Sequence, residues 1–184
     1  MAVMKVITKN APGSPFQEKY HDDAALRSVM DYVCHPKKVA LIGGWGVDPG
    51  NAIYEMGLLS RLYHKDSGVR LRHWTVDFQT SDIYRLEQRM GCDQVTAVWR
   101  LAYELTAYYA DRYQVFFAVH TDKPLPHIHV VMNTVSHVDG SKYSGTKTEY
   151  YNYECYARQV ARKYGFFLHM QTDHSEDKFL HRHS

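Results

Sequence analysis

The stretch VFFAVHTDKPLPHIHVVMN, residues 115–133, decides the fold of this chain. Two apolar runs, VFFAVH and HIHVVMN, flank the segment TDKPLP, whose prolines set a turn. The pattern predicts two antiparallel strands joined as a hairpin. Alternate residues of a strand share one face of a sheet, so His127, His129 and Asn133 project together. Ile128 projects the opposite way.

Three histidines are expected to converge at this hairpin. If the first strand returns with His120 opposite His127, the same parity puts His120 on their common face, with neighbouring Cβ atoms ~5 Å apart. Three neutral imidazoles that leave coordination positions open form a catalytic metal site, because a structural site uses up its ligands on the protein. Imidazole prefers manganese, zinc or nickel to magnesium. An ordinary surface pair is the alternative for His127 and His129 taken alone.

Strands and helices alternate along the rest of the chain. The predicted elements are strands at residues 1–10, 73–78, 115–120 and 127–133 and helices at residues 23–34, 53–62, 93–112 and 148–164. This order favours an α+β domain with a central antiparallel or mixed sheet and helices packed on one face. The other face would then be open for a site.

Length and composition indicate one domain over residues 1–184. With 45% hydrophobic residues, the 184-residue chain can bury one sizeable core. The net charge of +2 permits a nucleic-acid partner without demanding one. Three cysteines, an odd number, argue against a disulfide framework and for a reducing compartment. No apolar run approaches the ~20 residues of a membrane span, so we expect a cytoplasmic protein without membrane insertion.

A nucleophile is harder to identify, because the chain has 15 tyrosines. Tyr32 lies in the predicted helix 23–34, about 120° from the centre of its apolar stripe on a helical wheel. It is therefore not an obvious core residue. On position alone, it remains one tyrosine among many.

The motif from His120 to Asn133 resembles the three-histidine motif of mobilisation (conjugative) relaxases of the MobA/VirD-like type, within the HUH endonuclease superfamily. The order of a first strand, the tyrosine-bearing helix SVMDYVCHPKK and the strand HWTVDF is also similar, and the likeness covers nearly the whole chain. By this resemblance Tyr32 takes the place of the attacking tyrosine, and His120, His127 and His129 take the places of the metal ligands. Asp122 takes the acidic position that orients an imidazole or assists the tyrosine proton.

The resemblance implies a palm-like, ferredoxin-related two-layer sandwich that nicks one DNA strand at an origin of transfer through a 5′-phosphotyrosine intermediate. It also implies a divalent ion, Mn²⁺ or Mg²⁺ first and Zn²⁺ or Ni²⁺ as alternatives. The expected partners are single-stranded DNA, relaxosome accessory proteins and a type IV secretion coupling protein in the bacterial cytoplasm. Relaxases are commonly longer, so the chain is expected to be the N-terminal part of a larger protein.

Three other functions stay open on the sequence. A replication initiator or transposase of the same superfamily would use a tyrosine that follows the histidines, and the candidates are Tyr150, Tyr151, Tyr153 and Tyr156. A non-catalytic module would bind single-stranded DNA without a metal. A three-histidine metallohydrolase would activate water and form no covalent adduct.

Further residues are expected around the site. Strand parity and the motif make His73, Asp77 and Asn133 candidates for contact with the metal ligands. Basic and aromatic side chains near these segments are candidates for DNA contact. They are Lys37, Lys38, Trp45, Arg70 and Arg72. Each of the four basic residues could equally be a solvated surface charge.

Overall fold

The structure is a computed structural model that describes residues 1–7 and 21–171. Helices and strands alternate along the chain. In order they are β1 (Ala2–Ile7), α1 (Asp23–Val33), β2 (Val39–Trp45), α2 (Ala52–Leu62), β3 (Leu71–Asp77), α3 (Thr80–Met90), α4 (Gln94–Thr106), β4 (Tyr113–His120), β5 (His127–Ser136), α5 (Lys147–Lys163) and β6 (Leu168–Gln171). Short 3₁₀ turns precede α2 and follow α4.

The described strands form one mixed sheet in the order β2-β4-β5-β3-β1-β6. Neighbouring strands are antiparallel except for β1 and β6, which are parallel. The α+β class and the mixed sheet are therefore confirmed. The expected hairpin is β4–β5, inside the sheet between β2 and β3, and in it His120 lies opposite His127.

Helices cover both faces of the sheet, not one as expected. On one face α3, α4 and α5 bury a large core that includes Leu101, Phe117 and Val130. On the other face α1 and α2 pack on Phe116 and Val131, which share that face with the histidines. The reason is that β4 and β5 are buried along their whole length, so both of their faces need an apolar cover.

The helix that carries Tyr32 has clear local signals. The Asp22 carboxylate accepts a hydrogen bond from the backbone N–H of Ala25 and caps α1. Leu26, Met30 and Val33 are buried against the sheet at helical spacing. α1 therefore matches the prediction closely and turns Tyr32, with 47% of its surface exposed, away from the core.

Other boundaries differ from the sequence-based expectations. The predicted helix 93–112 ends at Thr106 and continues only as the 3₁₀ turn. Residues 8–10 of the predicted first strand lie outside the described residues. Across residues 1–7 and 21–171, no helix combines the length and apolar character needed to cross a bilayer.

Candidate metal centre and nucleophile

The β4–β5 hairpin brings His120, His127 and His129 together. His120 pairs with His127, and His129 pairs with Ala118 on the same face. All three side chains are buried, and each offers one ligand atom within 4.8 Å of the others. The three histidines therefore lie on one face of the hairpin, as strand parity predicts, and the arrangement could hold one metal ion.

Hydrogen bonds leave imidazole nitrogens available for a metal. His120 Nε2 donates to the Val33 carbonyl at 2.6 Å, because a carbonyl oxygen can only accept. The neutral ring then has its lone pair on Nδ1. Among the described residues, the buried Nδ1 atoms of His120 and His127 have no hydrogen-bond partner. Buried polar atoms are normally satisfied, so a bound cation fits these two nitrogens.

The environment keeps the three rings neutral. Burial lowers the pKa of His120, and it lowers the pKa of His127 with a further contribution from the Lys123 charge. Burial lowers the pKa of His129 to about 2, helped by the neighbouring rings of His120 and His73. Neutral imidazole is the form that ligates a metal.

Tyr32 lies beside this cluster, at the last turn of α1. Its ring centroid is 5.5 Å from that of His129 and 6.2 Å from that of His120. The next residue, Val33, supplies the carbonyl that holds His120. α1 therefore presents an exposed phenol and orients one imidazole through adjacent residues.

The competing tyrosines lie on the opposite side of the sheet. Tyr153 is buried in the core under α5, and Tyr150 and Tyr156 pack against the same core. Tyr151 is 64% exposed, but it also belongs to α5. Since the histidines share the α1 and α2 face, the geometry favours Tyr32 over these four residues.

Two charged pairs flank the imidazoles. Asp122 Oδ1 lies 3.6 Å from His127 Nε2, and its other oxygen lies 3.8 Å from Lys38 Nζ. Lys38 Nζ also lies 4.1 Å from the centroid of the Tyr32 ring. On the other side, Lys123 forms an ion pair with Asp77 at 2.8 Å. Sequence reasoning missed Lys123, although its place in the turn TDKPLP was a usable signal.

The three residues expected to contact the ligands have different surroundings. His73 Nε2 shares a hydrogen bond of 3.1 Å with His129 Nδ1, and the two rings stack. Asp77 is engaged with Lys123. Asn133 lies about 13 Å along the strand from His129, at ~3.3 Å per residue. Its amide donates to the Met56 carbonyl, so it fastens α2 to the sheet rather than orienting an imidazole.

Lys37 and Lys38 are the two DNA-contact candidates beside the site. Lys37 is exposed, and Lys38 contacts Tyr32. Trp45 lies on the α4 side, where its indole N–H donates to the Tyr103 carbonyl, so it is not a free stacking platform.

The two arginine candidates have partners within the fold. Arg70 is buried and forms an ion pair with Asp23 at 2.6 Å. Arg72 has the strand parity of Trp74, on the face opposite His73, and lies over the Tyr143 ring. Arg72 was chosen for its position next to HWTVDF, without considering which face of the strand its side chain occupies.

Comparisons with known proteins identify the family. A family model described as "Relaxase: MobA/VirD2-like, nuclease domain" matches residues 32–166. A solved structure from Staphylococcus aureus, described as "Molecular Basis of Vancomycin Resistance Transfer in Staphylococcus aureus", is similar with 14% sequence identity and a TM-score of 0.45. The similarity covers 73% of this chain and 76% of that chain. No curated protein matches. Since the family match spans well over half of the sequence, the chain belongs to the MobA/VirD2-like relaxase nuclease family.

Proposed function

We propose that this chain nicks one DNA strand at an origin of transfer and stays joined to the 5′ end through Tyr32, during mobilisation of a plasmid or integrative element. One observation carries the proposal. In a chain of the relaxase nuclease family, the exposed Tyr32 ring lies 5.5 Å from a ring of a buried three-imidazole cluster. A phenol that must meet a DNA phosphate needs this exposure.

The reaction is a transfer of the scissile phosphate to tyrosine. The Tyr32 oxygen attacks phosphorus, the bond from phosphorus to the 3′ oxygen breaks, and the 5′ phosphate remains on Tyr32. The phenolic proton leaves to water at the exposed edge of the ring. The departing 3′ oxygen takes up a proton from water and becomes a 3′-hydroxyl. The phosphotyrosine ester conserves the bond energy, so the reverse attack can rejoin the strand.

Residues around the cluster hold the imidazoles in place. The Val33 carbonyl, Asp122 and His73 face His120, His127 and His129 respectively. Such partners fix the tautomer and orientation of each ring. A divalent ion bound to the three histidines, Mn²⁺ or Mg²⁺ first and Zn²⁺ or Ni²⁺ as alternatives, would neutralise charge on the phosphate. We assign Asp122 the orienting role, since its carboxylate faces His127.

Single-stranded DNA is the proposed substrate, with relaxosome accessory proteins and a type IV secretion coupling protein as partners in the cytoplasm. Lys37 and Lys38 follow the tyrosine-bearing helix, and Lys38 places its positive charge 4.1 Å from the centroid of the Tyr32 ring. Cations beside the attacking group favour approach of the phosphate backbone.

A covalent-adduct assay tests the proposal. Wild type, Tyr32→Phe and Tyr151→Phe are incubated with Mn²⁺ and a single-stranded oligonucleotide from the host element's transfer origin, then separated on a denaturing gel. We expect a protein–DNA adduct with wild type and Tyr151→Phe and none with Tyr32→Phe, which keeps the ring but lacks the attacking oxygen. DNA binding should survive in all three.

The contrary outcomes are distinct. An adduct retained by Tyr32→Phe and lost in Tyr151→Phe would indicate the replication-initiator arrangement. Cleavage by wild type without an adduct would indicate attack by water. Binding that is unchanged by a chelator, without any cleavage, would indicate a module that only binds single-stranded DNA.

A further inference from the structure

We propose that Lys38 is a positioning residue that holds the Tyr32 ring over the imidazole cluster and links it to Asp122. This inference rests on the proposed role of Tyr32. It assigns Lys38 a task different from the general phosphate contact that its sequence position suggests.

The contacts of the ammonium group carry the argument. Lys38 Nζ lies 4.1 Å from the Tyr32 ring centroid, well inside the ~6 Å within which a cation is attracted to an aromatic face. The same nitrogen lies 3.8 Å from Asp122 Oδ2, and the other oxygen of Asp122 faces His127. Lys38 therefore bridges the phenol and the carboxylate beside a proposed metal ligand.

The backbone of Lys38 is fixed at both ends of this bridge. Its N–H donates to the His35 carbonyl at 2.9 Å, just beyond α1. Its carbonyl accepts from the N–H of Thr121 at 2.8 Å, just beyond β4. Lys38 thus joins the segment that carries Tyr32 to the segment that carries His120. These two hydrogen bonds fix the backbone position from which the Lys38 side chain extends.

Tyr32 needs such support because it lies in the last turn of α1, where helices fray. Nearly half of the surface of this tyrosine is exposed. Lys38, with 28% of its side chain exposed, lies over the ring. The cation also lies close to the negative charge that grows on the phenol as its proton leaves. An oriented charge of this kind acts mainly in the transition state.

DNA affinity and reaction rate distinguish a lysine that contacts phosphate from one that positions the nucleophile. A lysine that only contacts phosphate changes the DNA affinity and its salt dependence. A lysine that positions the nucleophile changes the rate at saturating DNA. The exposed neighbour Lys37 provides the comparator for a phosphate contact, and Lys147, exposed on α5 across the sheet, provides a control for loss of one positive charge.

The experiment measures single-turnover adduct formation with Mn²⁺ and saturating origin oligonucleotide, and DNA Kd by fluorescence anisotropy. We expect Lys38→Gln to slow adduct formation about tenfold or more and to change Kd by less than about threefold. Lys38→Arg should recover most of the rate, because a guanidinium also lies well over an aromatic ring. Lys37→Gln should raise Kd, and Lys147→Gln should match wild type.

An unchanged rate for Lys38→Gln at saturating DNA would overturn the inference, as would a loss confined to Kd. A loss of Mn²⁺ affinity in Lys38→Gln that accounts for the slower rate would also overturn it, because Lys38 would then act on the ligands. Failure of the proposed function looks different: wild type itself would give no Tyr32-dependent adduct.

Discussion

Asp122 offers the most direct single-residue test of the imidazole cluster. Asp122→Asn keeps the shape of the side chain and removes the charge that faces His127 at 3.6 Å. We expect Mn²⁺ affinity to fall about 10- to 100-fold, the usual effect of losing a partner that orients a ligand. Isothermal titration with Mn²⁺ measures this, and Asp111→Asn, at an exposed position, is the control. Equal affinity in both variants would exclude the orienting role.

The histidines themselves give a second residue-scale prediction. His127→Ala and His129→Ala should each abolish nicking and keep the fold. Both side chains are buried, so each alanine leaves a cavity in the folded state. Both rings are neutral at pH 7.5, so their removal leaves no unpaired charge and the expected cost is that of lost packing.

Two measurements check the histidine variants. Urea denaturation of the metal-free variants should show a loss below about 2 kcal/mol in the free energy of unfolding. The adduct assay should show no product in metal-limited buffer. Wild-type-like cleavage by either variant would count against the site.

At the scale of elements, α1 carries the proposed nucleophile, while β4 and β5 carry the proposed metal ligands. Met30 is buried under α1 in the core that includes Phe116 and Val131. Met30→Ala should cost about 2–4 kcal/mol of stability. Because α1 then docks less firmly, adduct formation should slow while Mn²⁺ affinity changes little.

A variant on the other face is the matched control for α1. Leu86 is fully buried under α3, away from the histidines. Leu86→Ala should lose comparable stability in urea denaturation and retain the adduct rate under conditions where it is folded. If both variants slow the reaction equally, the effect belongs to global stability and not to α1.

Some of the helices and strands could be predicted from the sequence, and others could not. The hairpin was predictable because two apolar runs flank a turn with two prolines, and α1 was predictable because its apolar residues follow the helical period of 3.6. α3 was missed, since only Ile83 and Leu86 supply its buried apolar positions. β6 has four residues and gains its place through pairing with β1. The local sequence pattern of a short segment does not reveal which distant segment it pairs with.

The candidate site also has features that could be predicted from the sequence and features that could not. Convergence of the histidines followed from strand parity, and the helical wheel left Tyr32 outside the core. Trp45, Arg70 and Arg72 have partners within the fold that sequence spacing did not reveal, and their contact with DNA stays a prediction. Contacts across the fold, such as Lys38 with Asp122, had no signal in spacing at all.

For the molecule as a whole, the buried histidines predict an acid-sensitive metal-free protein. Their pKa values in the folded state lie below the ordinary 6.5, to about 2 for His129, so the unfolded chain binds more protons in this window. Stability is therefore full above about pH 6.5 and declines as the pH falls below it. His129→Gln should flatten the decline.

Urea denaturation of the metal-free protein at pH 7.5 and pH 5.5 measures this dependence, with the conditions bracketing the ordinary histidine pKa. The free energy of unfolding should be lower at pH 5.5 for wild type, with a smaller difference for His129→Gln. Greater stability at pH 5.5 would contradict the neutral state of the rings.

The β4–β5 hairpin affects the order in which the parts of the candidate site assemble during folding. His120, His127 and His129 belong to one β4–β5 hairpin, whereas 87 residues separate Val33 from His120. Short loops close quickly and at low entropic cost, and long ones close late. A folding chain can therefore bring its three proposed metal ligands together before α1 docks with Tyr32. If Tyr32 is the attacking group, a chain in which that helix has not yet docked could not cut the DNA of the cell that makes it.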